Sequence, residues 1–377
     1  MSTTYKAQGG ESFVDISRRA FGTPRKSQEI KASNPTVTEP IKAGTVLKIP
    51  SGVDNSLRNQ RGISVNIDGS QYRNFTSFQI SQSVDGIDQI QLIGPFIKGQ
   101  FRPFEFNTVT VFYDGELIFT GTLIDVLPSR DENGTNINLG AYSRAGVLAE
   151  CSIAPRNYVK KTFDFILKDM LKGFNIPVSG DLTSKFDYIE YSGGLIWDFI
   201  VDLAKQKGLI IKSTPEGGIH VYALTESDII SANLKDDLPP VIGIEPTFNS
   251  SGLFSDIVGR IPGDKKKRGA KKSVKTDLNI YRPTYIEYSD IKSSELQGAL
   301  DSAVGRMKAG RSSYSVTLAV WANENAERFR SGQFVTLLGE SVFIEVRKKL
   351  LIRSLVLIQT ENGKTATLNL IEPGAFE

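Results

Sequence analysis

The 377-residue chain has one cysteine, Cys151, and one histidine, His220. A single cysteine excludes an internal disulfide and any thiolate metal cluster, and with them the disulfide-stapled secreted class. Neither a His-x-x-His nor a Cys-x-x-Cys spacing occurs, so the usual zinc patterns are missing. No run of about eighteen apolar residues is present, which argues against a membrane-spanning helix. Charge of one sign is also lacking: 45 Lys and Arg against 42 Asp and Glu leave +3, too little for a field that draws in nucleic acid or membrane. What remains is ordinary globular composition, 40% hydrophobic and 23% charged. The length suits about two to four domains. Such a chain is expected to be made in a cytoplasm.

The first fifty residues carry the densest local signals. Residues 5–8 form a short extended start, and Gly9-Gly10 a turn. Ser12 is placed to cap a helix whose apolar side is Phe13, Ile16 and Ala20. Gly22 and Pro24 end that helix, and Asn34-Pro35 stops a second one. Val46, Leu47 and Ile49 then form a brief strand before Pro50. The order of turn, helix, Asn-Pro and Gly44-Thr-Val-Leu-Lys-Ile-Pro50 resembles a LysM domain, a module best known for binding peptidoglycan or chitin. The resemblance implies a groove between the loop at Gly9, Gly10, Glu11 and Ser12 and the loop at Asn34 and Pro35. That groove has two readings, glycan binding or docking onto another protein. The loops offer few aromatic rings for sugar stacking, which favours docking.

Residues 51–62 read as a polar linker. The stretch 63–154 is strand-rich: Ile63, Val65 and Ile67 alternate with polar residues, and Asp68-Gly69, Asp114-Gly115 and Asn133-Gly134 mark hairpins. Helical period appears within 155–238, with Phe163, Ile166, Leu167, Met170 and Leu171 on one helix face. Leu195, Ile196, Phe199, Ile200, Leu203 and Ala204 form a second face. Strands return over 239–377, interrupted by a basic loop at 264–275 and a helix near 293–309 with Leu296, Leu300, Val304 and Met307 inward. The fold class is α+β, mainly β: a small βααβ domain, two antiparallel β-barrel domains, and an α/β subdomain between them.

Residues 63–377 also resemble the Mu-type, or gpP, family of contractile-phage tail proteins. The matching segments are Val65-Asn-Ile-Asp-Gly, Val109-Thr-Val-Phe-Tyr-Asp-Gly-Glu and Phe119-Thr-Gly-Thr-Leu-Ile-Asp125. Further matches are Ala141 to Ser152 and the terminal Leu351-Ile-Arg-Ser-Leu-Val followed by Gly363 to Phe376. Tyr142-Ser-Arg-Ala departs from the family's Gly-Arg-Ser, and the LysM-like unit precedes the family's usual start. The resemblance implies tail-tube-like barrels and a homotrimeric baseplate hub. Two barrels per subunit would make a pseudo-sixfold ring joining a hexameric tail tube to a trimeric spike. It implies neighbours among wedge or sheath-initiator proteins and a place in the virion tail baseplate, assembled in a bacterial cytoplasm. On this reading the two strand-rich regions share one topology.

Catalysis finds weak support. His220 stands alone on an apolar strand, Cys151 ends the Val147-Leu148 stretch with no histidine near it in sequence, and no cofactor motif appears. Carboxylates are plentiful enough to make a wall-targeted muramidase or adhesin anchored by the LysM-like unit the rival to a structural hub, but they fall mostly in turns or on polar helix faces. The run Lys265, Lys266, Lys267, Arg268, Lys271, Lys272 and Lys275 puts seven cations within eleven residues, without aromatics. It reads either as a solvated loop or as an electrostatic contact to an acidic partner or to DNA passing through a channel.

Overall fold

The computed structural model describes residues 3–21, 27–49, 62–72, 75–96, 102–132, 134–223, 230–262, 269–288, 293–294 and 296–373. All of the expected linker but Gly62 lies outside these residues, as do Lys265, Lys266, Lys267 and Arg268.

The amino-terminal unit is β1 (Thr3–Lys6), α1 (Phe13–Phe21), α2 (Ser27–Ser33) and β2 (Val46–Ile49), with β1 antiparallel to β2. Ser12 and Asp15 cap α1 reciprocally: the Asp15 amide donates to Ser12 Oγ at 3.1 Å, and the Ser12 amide to Asp15 Oδ2 at 3.0 Å. Phe13, Ile16, Ile30, Ile41 and Leu47 are buried between the helices and strands. The βααβ order expected from the sequence is present.

The first β-unit contains β3 (Ile63–Ile67), β4 (Ser70–Tyr72), β5 (Ser77–Ser83), β6 (Gln89–Pro95), β7 (Thr108–Tyr113), β8 (Glu116–Asp131) and β9 (Gly134–Ser143). A helical turn at 144–149 leads into the α/β part. There β10 (Arg156–Thr162), α3 (Phe163–Met170), β11 (Val178–Gly180), β12 (Lys185–Tyr191), α4 (Ile196–Lys205), β13 (Leu209–Ser213) and β14 (Ile219–Ala223) enclose their own core. Phe163, Ile166, Leu167 and Met170 of α3 are buried as their spacing requires. Leu195 is instead 41% exposed, because it precedes α4 in extended conformation.

The second β-unit begins earlier than residue 239. β15 (Ile230–Lys235) pairs with β21 (Phe334–Gly339), so it belongs to this unit and not to the α/β part. β16 (Val241–Phe248) follows. The segment Asp256 to Arg260, expected in the second barrel, instead forms β17 (Asp256–Ile261) of a separate three-stranded sheet with β18 (Ala270–Lys275) and β19 (Pro283–Glu287). Half of the expected basic loop is thus strand β18. Helix α5 (Leu296–Ala309) buries Leu296 and Leu300 against this sheet, where a Cβ on Gly259 would come within 2.9 Å of the Leu300 side chain. The chain then returns through β20 (Ser312–Leu318), β21, β22 (Ile344–Thr360) and β23 (Gly363–Ile371).

Two separate barrels were expected; the strands instead join into one thirteen-stranded sheet, and none of the sheets closes on itself among the described residues. The junction is antiparallel pairing of β5 with the outer half of β22, from Ser83 opposite Ser354 to Ser77 opposite Thr360. On either side of this junction the same order repeats: β5-β6-β9-β8-β7 in one unit, β16-β20-β23-β22-β21 in the other, all antiparallel. Details coincide as well. In the β8–β9 hairpin Ile124 is an extra residue between Leu123 and Asp125, seven positions before the last pair, Asp131 with Gly134. In the β22–β23 hairpin Arg353 is the extra residue, seven positions before Thr360 with Gly363. The shared topology expected from the sequence is therefore present for these five strands. The outermost strands differ: β3 is antiparallel to β7, whereas β15 is parallel to β21.

Candidate assembly surfaces

One side of the long sheet is apolar and buried, carrying Phe78, Ile80, Leu92, Leu139, Leu357 and Leu368. Strand alternation turns the intervening residues to the other side, and directly paired residues share that side. One row across the strands reads Glu245, Ser315, Asn369, Ser354, Ser83. The next reads Gly243, Thr317, Thr367, Val356, Ser81, Gln89. A third reads Thr365, Ile358, Gln79, Gln91, Gly140, Asp125. These rows contain no Lys or Arg and are mostly neutral hydrogen-bonding side chains. Neighbours satisfy one another: Asn369 Nδ2 donates to Ser354 Oγ at 3.0 Å, and Gln91 Nε2 to Asn138 Oδ1 at 3.3 Å. A shallow open depression of about 250 Å³ lies on this face between Gln79, Gln91, Asp125 and Asn138. The face is wide and shallow, a shape that fits an extended partner better than a small molecule.

The sheet also has open edges. The outer half of β8, residues 125–131, pairs with β9 on one side and with no described strand on the other. Among the described residues β16 pairs only with β20. Each edge carries a proline. The Phe96 amide donates to Thr135 O at 2.8 Å, so Thr135 and then Ile137 turn their main chain toward β6. Pro128, opposite Ile137, thus aims its nitrogen at the open edge. The Asn249 amide donates to Arg311 O at 2.8 Å, and by the same alternation Pro246 aims its nitrogen away from β20.

A buried polar knot ties three parts of the chain together. Gln82 Nε2 donates to Asp88 Oδ2 at 2.7 Å, and Arg328 Nη1 donates to Gln82 Oε1 at 3.1 Å. Asp88 N lies 3.4 Å from Ser213 Oγ of β13. Burial raises the Asp88 carboxyl to about 7 despite Gln82, Arg328 and Lys212, and burial lowers Lys212. The knot packs inside the molecule and serves its architecture.

The residues singled out from the sequence fall into distinct settings. Glu11 is buried and accepts from Tyr5 OH at 2.9 Å and from the Gln8 amide at 2.8 Å. Asn34 is buried; its Nδ2 donates to Ile30 O at 2.7 Å and Lys48 O at 2.6 Å, and its Oδ1 accepts from the Lys48 amide at 2.7 Å. Both side chains are committed to the unit's own fold. Gly9 and Gly10 adopt positive φ, and a Cβ on Gly9 would meet Ala43 at 2.9 Å. Among the six residues of the expected groove, Gly9, Gly10 and Pro35 are exposed. Lys271 lies opposite Arg260, on the open side of the three-stranded sheet with exposed Tyr285, whereas Lys272 lies opposite Gly259, on the side that meets α5. His220 Nδ1 lies 3.0 Å from Ser179 Oγ, the ring stacks on Tyr222, and burial lowers its pKa. No group of three or more metal-ligating side chains occurs among the described residues, and none of their helices is long and apolar enough to cross a membrane.

The neutral sheet face and the paired edges were not legible in the sequence. Gln and Ser alternating with apolar residues in Phe78–Gln82 and Ile90–Leu92 signalled a polar side, but not that eight strands would line up to extend it.

Neither a protein-family model nor a curated relative matches the sequence. Solved structures do. The 43 kDa tail protein of prophage MuSo2 from Shewanella oneidensis is similar with a TM-score of 0.73 at 20% identity, over 84% of this chain and 99% of that one. A tail protein from Neisseria meningitidis MC58 is similar with a TM-score of 0.73 at 16% identity, over 84% and 97%. An Escherichia coli type VI secretion component, described as structurally similar to the T4 tail proteins gp27 and gp5, has a TM-score of 0.53 at 9% identity, over 82% and 76%. At these identities the likeness establishes the fold: this chain has the architecture of those tail proteins.

Proposed function

We propose that this chain is the central hub of a contractile-tail baseplate, working as a homotrimer that joins a hexameric tail tube to a trimeric spike. The observation that carries this reading is the internal repeat, with one five-strand order used twice and the same extra residue in each long hairpin. Three chains with two like units each offer six like contacts, which resolves a three-to-six mismatch. The ends of the sheet support it further. The hairpin tips near 132 and 361 lie at one end and resemble each other. At the opposite end the two units differ: the first bears the α/β part and the second bears the β17–β19 sheet with α5. One end is suited to a sixfold partner and the other to a threefold one. The solved tail proteins of the same fold point the same way.

In this reading the neutral sheet face turns toward the axis, where DNA passes. A wall of Ser, Thr, Asn and Gln gives phosphates no cations to grip. The LysM-like unit docks onto a neighbouring wedge or sheath-initiator protein instead of peptidoglycan, since Glu11 and Asn34 are spent inside the unit. The role is structural, and its place is the virion tail baseplate, assembled in the host cytoplasm. Light scattering and negative-stain images of the purified full chain test this: three copies around a central hole are expected. A monomer without a hole overturns it.

A further inference from the structure

We propose that copies of this chain join by repeating their own internal β5–β22 junction, with β16 of one copy against the outer half of β8 of the next. This names the seam of the trimer and rests on the hub reading above. The repeat makes β16 the counterpart of β5 and β8 the counterpart of β22. Inside the chain those two counterparts are zipped together over seven pairs, Ser83–Ser354 through Ser77–Thr360. The strands they correspond to, β8 and β16, are left with open edges among the described residues.

The template fixes the register. Gln79 corresponds to Glu245 through their partners Gln91 and Ser315, and Ser354 corresponds to Asp125 through the two extra residues. Carrying the internal pairs across places Asn249 opposite Asp125, Phe248 opposite Val126, Thr247 opposite Leu127 and Pro246 opposite Pro128. Gly243 then faces Asp131. Phe248 and Leu127, 51% and 57% exposed, are covered in this arrangement.

The prolines supply an independent check on that register. Both aim a nitrogen without hydrogen at the open edge, and here they meet on the same rung. One rung loses its hydrogen bonds, and the rungs on either side, Val126 with Phe248 and Arg130 with Ile244, keep theirs. A register slipped by two residues would put the prolines on different rungs and disable both. The seam also continues the polar rows, because Leu127 and Thr247 lie on the same side as Asp125 and Glu245.

Disulfide trapping in the full-length chain tests the seam, on a Cys151→Ser background. Leu127→Cys with Thr247→Cys places the thiols on a rung without hydrogen bonds, where Cα atoms approach to about 4.5 Å, within disulfide range. Leu127→Cys with Glu245→Cys is the diagonal control, with Cα atoms about 7–8 Å apart. Oxidation of the first pair is expected to give covalent dimers and trimers at least severalfold more efficiently than the control. A trimer by light scattering in which the first pair links no better than the control overturns the seam and leaves the hub reading standing. A chain that is monomeric by light scattering, with neither pair linking, overturns both. Both positions are exposed, and melting of the reduced variants at the wild-type temperature confirms that they fold.

Discussion

Asp88 shows how one residue couples the parts of the chain to pH. Its carboxyl is fully enclosed, with a pKa near 7 against 3.8 for the ordinary side chain, and burial is the largest cause. The folded chain therefore holds a proton that the unfolded chain releases above about pH 4. Stability on this account is highest at low pH and falls as pH rises from about 4 to 7, by at most ~4 kcal/mol. Asp88→Asn keeps an acceptor for Gln82 and removes the titration. Denaturant midpoints measured from pH 5 to 8 should fall less steeply in the variant than in the wild type. Equal slopes would show that Asp88 does not govern the trend. Nothing in the sequence signalled that Arg328 and Ser213 would close over Asp88.

At the scale of elements, Asn34 joins the end of α2 to β2 through three hydrogen bonds. Asn34→Ala leaves the Lys48 amide and two carbonyls to find new partners, and is expected to cost the amino-terminal unit about 2–4 kcal/mol. Hydrogen exchange of residues 27–49 in the full chain should quicken while exchange in β22 and β23 stays unchanged; uniform quickening would tie the unit's stability to the rest. The Asn-Pro stop was legible in the sequence, although the same residue read as groove lining is in fact a clamp. Local elements came through well: hairpins at Gly69, Gly115 and Gly134, helix faces at Phe163 and Leu296. Partners distant in sequence did not. In Ile344–Thr360 Lys348 and Lys349 break the apolar alternation, and pairing with β21 and then β5 makes it one strand. The run at 264–275 read as loop because its charge masks the alternation that seats Val274 opposite Ile257.

For the whole molecule, the repeat was expected from resemblance and was hidden in the residues themselves. Equivalent places hold Ile124 and Arg353, Gln91 and Ser315, Pro246 and Ile80; topology persists where side chains have diverged. The neutral face gives a direct test. Gln91→Lys with Ser315→Lys puts a cation at the same place in each unit, six in a trimeric ring. Particles should assemble in normal number, but infective titre per particle should fall on the order of tenfold as the wall begins to hold phosphates. An unchanged titre would place the DNA path elsewhere.

Pro128 and Pro246 have a consequence for the life of a newly made chain. A bare strand end invites any passing strand to extend it, and growth of that kind has no natural stop. With a blocked nitrogen at its middle, each of these ends makes a poor template for strangers. Solitary chains are thereby kept from clumping in the crowded interval between synthesis and incorporation.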